Sequence, residues 1–162
     1  MLLLQFSKHS ILYNLVFFKE KTIMTTIWRR KVTIENLHHI TKKTMCEHLG
    51  IKFTQIGDNY IEGTMPVDHR TRQTMNILHG GASLAFAETL GSLAGNLCVD
   101  DPAYCVGLEI NANHVASVSS GWVTGKATPL HLGKKTHVWS IHIHSEDNRL
   151  LCVSRHTLMV MR

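Results

Sequence analysis

Between His79 and Asp100 the chain carries one charged side chain, Glu88. The segment around it, GGASLAFAETLGSLAGNLCV at 80–99, is otherwise apolar, small or hydroxylic. A carboxylate midway along such a segment is costly to bury unless it is paired or functional. Desolvation would raise its pKa toward the range of a general base. The same residue also reads as a structural carboxylate held by strand donors such as Asn111 or Asn113. Ser92 follows four residues on, hence on the same helical face. A hydroxyl there can hold a water or orient the carboxylate; a small residue chosen for packing reads the same way. His79-Gly80-Gly81 opens the segment. The first N–H groups of a helix lack internal acceptors, carry partial positive charge and can polarise a carbonyl. Glycine lets a ligand approach that backbone closely, although a plain glycine-rich turn has the same sequence. Glu88 lies two turns further along, so a single ligand does not span both groups on one chain, and a second subunit would close the gap. The Gln73 amide, in the polar stretch before the helix, can hydrogen-bond a carbonyl oxygen. Taken alone it is an ordinary loop glutamine.

Other chemistries lack their residues. The chain has 12 histidines, but no H-E-x-x-H and no Cys/His quartet, and no metal site is expected. His142-x-His144 shares a strand face, yet alternation puts Trp139, Ile141 and Ile143 on the opposite, apolar face, so the two histidines belong to the exposed side. No G-x-S-x-G elbow is present for a serine hydrolase. Cys46, Cys98, Cys105 and Cys152 form no C-x-x-C pair and read as free thiols of a reducing cytoplasm.

The elements that must position these groups follow from periodicity. Residues 33–49 read as one helix, with Thr33 as N-cap, Asn36 where a capping box has Glu or Gln, and Gly50 as terminator. Residues 51–57 and 59–66 read as a hairpin turning at Gly57-Asp58, and 67–78 as irregular. Residues 80–99 make a helix apolar nearly all round, hence buried, stopped by Asp100-Asp101-Pro102. Strands are expected over 104–118, 121–130, 136–145 and 149–161. The plan is α+β, an antiparallel sheet wrapped around one long central helix.

At 162 residues, 44% hydrophobic and 18% charged, the chain is an ordinary globular one of about one domain. Its net charge of +5 is scattered in short doublets, which argues against nucleic acid and suits anionic small molecules. Residues 1–23 are apolar and aromatic, interrupted by Lys8 and His9. They lack the basic start and small-residue cleavage site of a signal peptide and fall short of a membrane span. They are read as an extension, untranslated or disordered, ahead of a single domain over 24–162, with no membrane attachment.

Three blocks resemble the hotdog-fold acyl-CoA thioesterases: Met65-Pro66-Val67-Asp68-His69-Arg70-Thr71-x-Gln73, Leu78-His79-Gly80-Gly81-Ala82-Ser83 and Ala87-Glu88-Thr89-x-Gly91-Ser92-x-Ala94-Gly95. Val106-Gly107-x-Glu109-Ile110-Asn111-Ala112-Asn113-His114 and Pro129-Leu130-His131-Leu132-Gly133-Lys134 extend the likeness. It is greatest to the bacterial branch containing the dihydroxynaphthoyl-CoA hydrolase of menaquinone synthesis and the proofreading thioesterase of enterobactin synthesis. The resemblance implies hydrolysis of an acyl-CoA or acyl-carrier thioester without metal or cofactor, coenzyme A entering only as part of the substrate. It implies Glu88 as nucleophile or general base, Gly80 N–H polarising the carbonyl with Gln73 and His79, and Ser92 assisting. It implies a site shared across a homodimer, two dimers forming a tetramer. The CoA arm would pass Gly107, then His114, Val115, Ala116 and Ser117, then His131, Leu132, Gly133, Lys134, Lys135 and Thr136.

Two departures stand out. The family commonly has Pro-Phe-Gly after the glutamine, where this chain has Thr74-Met75-Asn76. It often has Arg-Pro shortly after the histidine matching His114, where this chain runs Val115-Ala116-Ser117. The first changes an acyl-pocket wall; the second removes a cationic CoA contact and tilts preference toward acyl-carrier substrates. Aromatic, naphthoyl and medium-chain acyl groups stay open. Competing readings are a non-catalytic acyl-CoA-binding module, which leaves Glu88 without a task, and a hydratase, whose Asp/His pair is absent.

Overall fold

Alternation dictates two of the long strands. In β5 (Thr136–Ser145) His137, Trp139, Ile141, Ile143 and Ser145 are buried while His142 is exposed. β6 (Leu150–Met161) alternates likewise, burying Cys152, Ser154, His156 and Leu158. With β1 (Lys52–Ile56), β2 (Ile61–Pro66), β3 (Tyr104–His114) and β4 (Trp122–Leu132) they form one six-stranded antiparallel sheet in the order β1-β2-β4-β5-β6-β3. This computed structural model describes residues 26–162, so the segment 1–23 lies outside the described residues.

The helix named here α3 (Gly80–Leu97) lies across the sheet and touches β2 through β6. The sequence makes this close approach possible at particular glycines. Gly63 of β2 and Gly125 of β4 are register partners. A Cβ at Gly125 would stand 2.7 Å from Phe86 Cε1 and 2.8 Å from Leu90 Cδ1; one at Gly63 would stand 2.8 Å from the Lys52 carbonyl oxygen. The glycine pair is therefore a trough into which Phe86 and Leu90, both wholly buried, descend.

Two expectations change. The helix is not buried on every side: Glu88 is exposed and Ala85, Thr89, Ser92 and Leu93 are half-buried, so one stripe of α3 reaches the surface of the protomer. The segment 33–49 is two helices, α1 (Ile34–Ile40) and α2 (Met45–His48). The break is chemical. Thr41 turns its hydroxyl back onto the Leu37 carbonyl, Lys43 adopts φ 57, and Thr44 caps a new helix by accepting the Cys46 N–H. Thr33 caps α1 as expected, and Asn36 completes the capping box in place of Glu or Gln. Gly50, at φ 71, ends α2 in the left-handed region.

The two sheet edges differ. β1 has five residues, begins at Lys52 and is irregular between Phe53 and Gln55. β3 has eleven, and its Tyr104, Val106 and Leu108 are 49%, 40% and 52% exposed.

The irregular segment 67–78 is fixed by side chains. Asp68 takes a forked interaction from Arg70, with Nη2 to Oδ2 at 2.6 Å, and also accepts the Arg70 N–H. These contacts hold its carboxyl at a pKa of about 2. A depressed carboxylate contributes stability above its ordinary pKa and loses it as pH falls through the depressed value. Asp68→Asn is therefore expected to lower Tm at pH 7 by a small amount, since the pair is partly solvated. The gap between variant and wild type closes between pH 4 and pH 2, as thermal melts across that range will read.

Candidate active site

The helix N-terminus leaves one donor free among the described residues. His79 caps α3 by accepting the Gly81 N–H on Nδ1 at 2.8 Å, which leaves the Gly80 N–H without a partner among the described residues. Gly80 also makes room: a Cβ there would stand 3.2 Å from Cε1 of His114. Gln73 accepts the Met75 N–H on Oε1 at 3.0 Å, which turns its NH₂ outward with no partner among the described residues. Gln73, Gly80 and Ser83 line a cavity of about 430 Å³ together with His114, Val115, Ala116 and Ser117. Gln73 and Gly80 thus border one space closed by the end of β3. Asn76 sits at φ 58, keeping the left-handed turn at the position where the resembled family has glycine.

Glu88 belongs to a different surface. It lines a groove of about 380 Å³ with Ser92, Ala85, Thr89 and Leu93 of α3 and with Thr41, Thr44, Met45 and Cys46 of the α1–α2 region. Ser92 shares its face as the spacing predicts. Neither strand asparagine holds it, since Asn111 Nδ2 donates instead to Glu109 Oε1 at 2.8 Å. Gly107 borders the carboxylate: a Cβ there would stand 3.5 Å from Glu88 Oε1. The desolvation expected from the sequence is not provided by the protomer alone, because Glu88 is exposed. Eight residues of helix, about 12 Å along its axis, separate it from Gly80.

The third group expected at the CoA arm lies elsewhere again. Leu132, Gly133 and Lys134 line a cavity of about 810 Å³ beyond the C-terminal end of α3, shared with Arg29, Arg162, Asp100 and Asp101. Gly133 and Thr136 close the β4–β5 turn through an N–H to carbonyl bond of 2.9 Å, and the Lys135 carbonyl accepts the Val160 N–H. His131, Lys134 and Lys135 are exposed. One chain therefore gathers Gln73, Gly80 and His114–Ser117 in one place, Glu88, Ser92 and Gly107 in a second, and the β4–β5 turn in a third. His79 serves as a helix cap beside the first.

The electrostatics exclude a thiol nucleophile from the core. Burial pushes the Cys98 thiol up to about 12 and raises Cys105 and Cys152, so all three stay protonated near neutral pH. No group of three or more His, Cys, Asp or Glu side chains able to hold a metal occurs among the described residues. No helix among them is long and apolar enough to cross a membrane.

Two contributors were not singled out from sequence. The α2 residues Met45 and Cys46 form the wall facing Glu88, which only the bend between α1 and α2 makes possible. His156 stands behind Glu88, with Nε2 3.1 Å from the position of a Cβ on Gly107. Alternation with Cys152, Ser154 and Leu158 was a signal that would have placed it on the buried face.

Comparison with known proteins agrees with this architecture. The model of the thioesterase superfamily matches residues 75–152. The chain is 50% identical over 135 residues to the 1,4-dihydroxy-2-naphthoyl-CoA hydrolase of Escherichia coli K12, across 83% of this chain and 99% of that one. It is equally, 50%, identical over 135 residues to the proofreading thioesterase EntH of Cronobacter turicensis, across 83% and 98% of the two. A crystal structure of a thioesterase from Haemophilus influenzae superposes with a TM-score of 0.83 at 51% identity, covering 84% of this chain and 95% of that one. With this helix laid across a six-stranded antiparallel sheet and this similarity along most of its length, the chain belongs to the thioesterase superfamily and has the hotdog fold.

Proposed function

We propose that this thioesterase hydrolyses acyl-CoA esters with aromatic, naphthoyl or medium-chain acyl groups, in sites completed by a second copy of the chain. The observation that carries the reading is the division of the machinery: unpartnered donors at Gly80 and Gln73 in one cavity, an exposed carboxylate at Glu88 in another. Across an interface the two halves meet. The thioester oxygen accepts hydrogen bonds from the Gly80 N–H and the Gln73 NH₂, which strengthen as negative charge develops on it. The partner's helix supplies its carboxylate, as nucleophile or as base on a water held with the Ser92 hydroxyl, and the CoA thiolate departs. An interface would also desolvate Glu88, which the protomer leaves in water. The β3 edge, with its exposed apolar residues, suits the two-fold contact. Lys134 with Arg29 and Arg162 supplies charge for CoA phosphates. No metal or cofactor takes part, and four free cysteines fit a cytoplasmic setting. The named activity of one relative, the 1,4-dihydroxy-2-naphthoyl-CoA hydrolase, supports a naphthoyl substrate, and with it the place in menaquinone synthesis that the resemblance implies.

One observation favours a second reading. The run Val115-Ala116-Ser117, with Val115 60% exposed, stands where the resembled family often has an Arg-Pro pair, which suits an acyl-carrier thioester better than free CoA.

Thiol release from benzoyl-, naphthoyl- and fatty acyl-CoAs, beside an acyl-carrier thioester, tests both. One class turning over well above the others assigns the substrate. No turnover of any, with CoA esters still raising Tm, would replace the catalytic reading with a binding module. Gln73→Ala is expected to lower kcat on the best substrate by about 10²-fold, in line with loss of one oxyanion donor. An unchanged kcat would remove Gln73 from the site.

A further inference from the structure

Three buried side-chain polar atoms lack a hydrogen-bond partner among the described residues: Arg30 Nε, Trp139 Nε1 and His156 Nδ1. Of these, His156 lies beside Glu88, across the gap at Gly107. His156 is 1% exposed, and its ring fills the gap between two glycines. A Cβ on Gly91 of α3 would stand 3.1 Å from Nδ1. A Cβ on Gly107 of β3 would stand 3.1 Å from Nε2 and 3.5 Å from Glu88 Oε1. The Nε2 edge and the carboxylate thus converge on the same point, left open because residue 107 has no side chain.

The unpartnered atom fixes the tautomer. A buried N–H without an acceptor is costlier and rarer than a buried lone pair without a donor. Nδ1 has no acceptor, so the proton of the neutral ring belongs on Nε2, the edge that faces Glu88. Burial lowers the pKa of the ring, and Glu88 and Glu109 oppose that shift, while its β5 neighbours Trp139 and Ile141 carry no charge. We propose that His156 is a positioning residue for the hydrolysis: neutral and protonated on Nε2, it orients the Glu88 carboxylate from beneath, through the opening at Gly107. The inference rests on the reading of Glu88 as the working carboxylate.

Steady-state kinetics on the best thioester, with His156→Leu, His156→Gln, Glu88→Gln and the Glu88→Gln/His156→Leu double variant, test it. His156→Leu is expected to lower kcat by about tenfold or more with KM within about twofold, because the carboxylate loses the N–H edge that faces it across the gap at Gly107. His156→Gln keeps an N–H at a comparable reach and is expected to stay within about threefold of wild type. In the Glu88→Gln background His156→Leu is expected to add less than about twofold, since coupled residues are not additive. Wild-type kcat in a folded His156→Leu, equal losses in Leu and Gln, or an undiminished loss in the Glu88→Gln background would each overturn the proposal. A second measurement needs no His156 variant. Nitrogen-15 NMR of the ring is expected to show the Nε2–H tautomer, and its titration midpoint is expected to fall in Glu88→Gln. An Nδ1–H tautomer or an unmoved midpoint overturns the inference. If Glu88→Gln keeps full activity, the reading of the active site fails and takes this inference with it. If Glu88→Gln is inactive while His156→Leu is fully active, the inference about His156 alone fails.

Discussion

Glu88→Gln is expected to lower kcat for thioester hydrolysis by about 10²–10⁴-fold, the range contributed by a positioned acid–base group. The substitution keeps size and shape and removes only the charge and basicity. Because Glu88 is exposed on the protomer and accepts no hydrogen bond among the described residues, Tm should move by no more than about 2 °C. Loss of activity with an unmoved Tm separates chemistry from folding. Mixing two inactive variants then reads the division of the site between chains. A hybrid of Glu88→Gln with Gln73→Ala carries one site bearing both changes and one bearing neither. Random re-pairing makes half the dimers hybrids, so about one quarter of wild-type activity returns. Recovery near zero would place both groups of each site on the same chain.

The largest structural effect is expected at Gly125. Gly125→Val puts a branched side chain where Phe86 and Leu90 already stand, 2.7 Å and 2.8 Å from the new Cβ, in a region with no exposure to give way into. Overpacking of this kind costs about 3 kcal/mol, or a Tm loss of roughly 10 °C for a domain of this size. Phe86→Leu in the same chain should recover part of the loss by vacating the ring's volume. Calorimetry on the two variants decides it; a Gly125→Val protein melting with wild type would mean that α3 does not seat in the Gly63–Gly125 trough.

What sequence revealed and what it hid have separate physical causes. Strict alternation made β5 legible to the residue, and the glycine-opened apolar run made α3 legible, because both periodicities are local. The bend at Thr41–Thr44 stayed hidden because hydrophobic spacing persists across it, while the competing threonine side-chain bonds leave no periodic trace. The exposure of Glu88 was hidden for another reason. A helix apolar all round reads as buried by its own sheet, whereas here one stripe stays at the surface of the protomer. Gly80 and Ser92 stood out by type and spacing, whereas Gln73 is an ordinary loop glutamine that only the family resemblance singled out. The nearness of His114 to Gly80 and of His156 to Glu88 depends on strand register across β3 and β6, which no local pattern encodes.

The unequal sheet edges set a limit on polymerisation. A strand edge that is long, open and apolar is a template for adding further strands, and a sheet with two such edges can grow without end. This sheet has one. β3 offers eleven residues, whereas β1 offers five, interrupted by an irregularity and opened by a lysine. Pairing β3 with β3 about a two-fold axis uses both open edges at once and leaves a short, blunted one at each end. In the two-fold assembly proposed above, the sheet gains one copy and offers no second open edge for further strands.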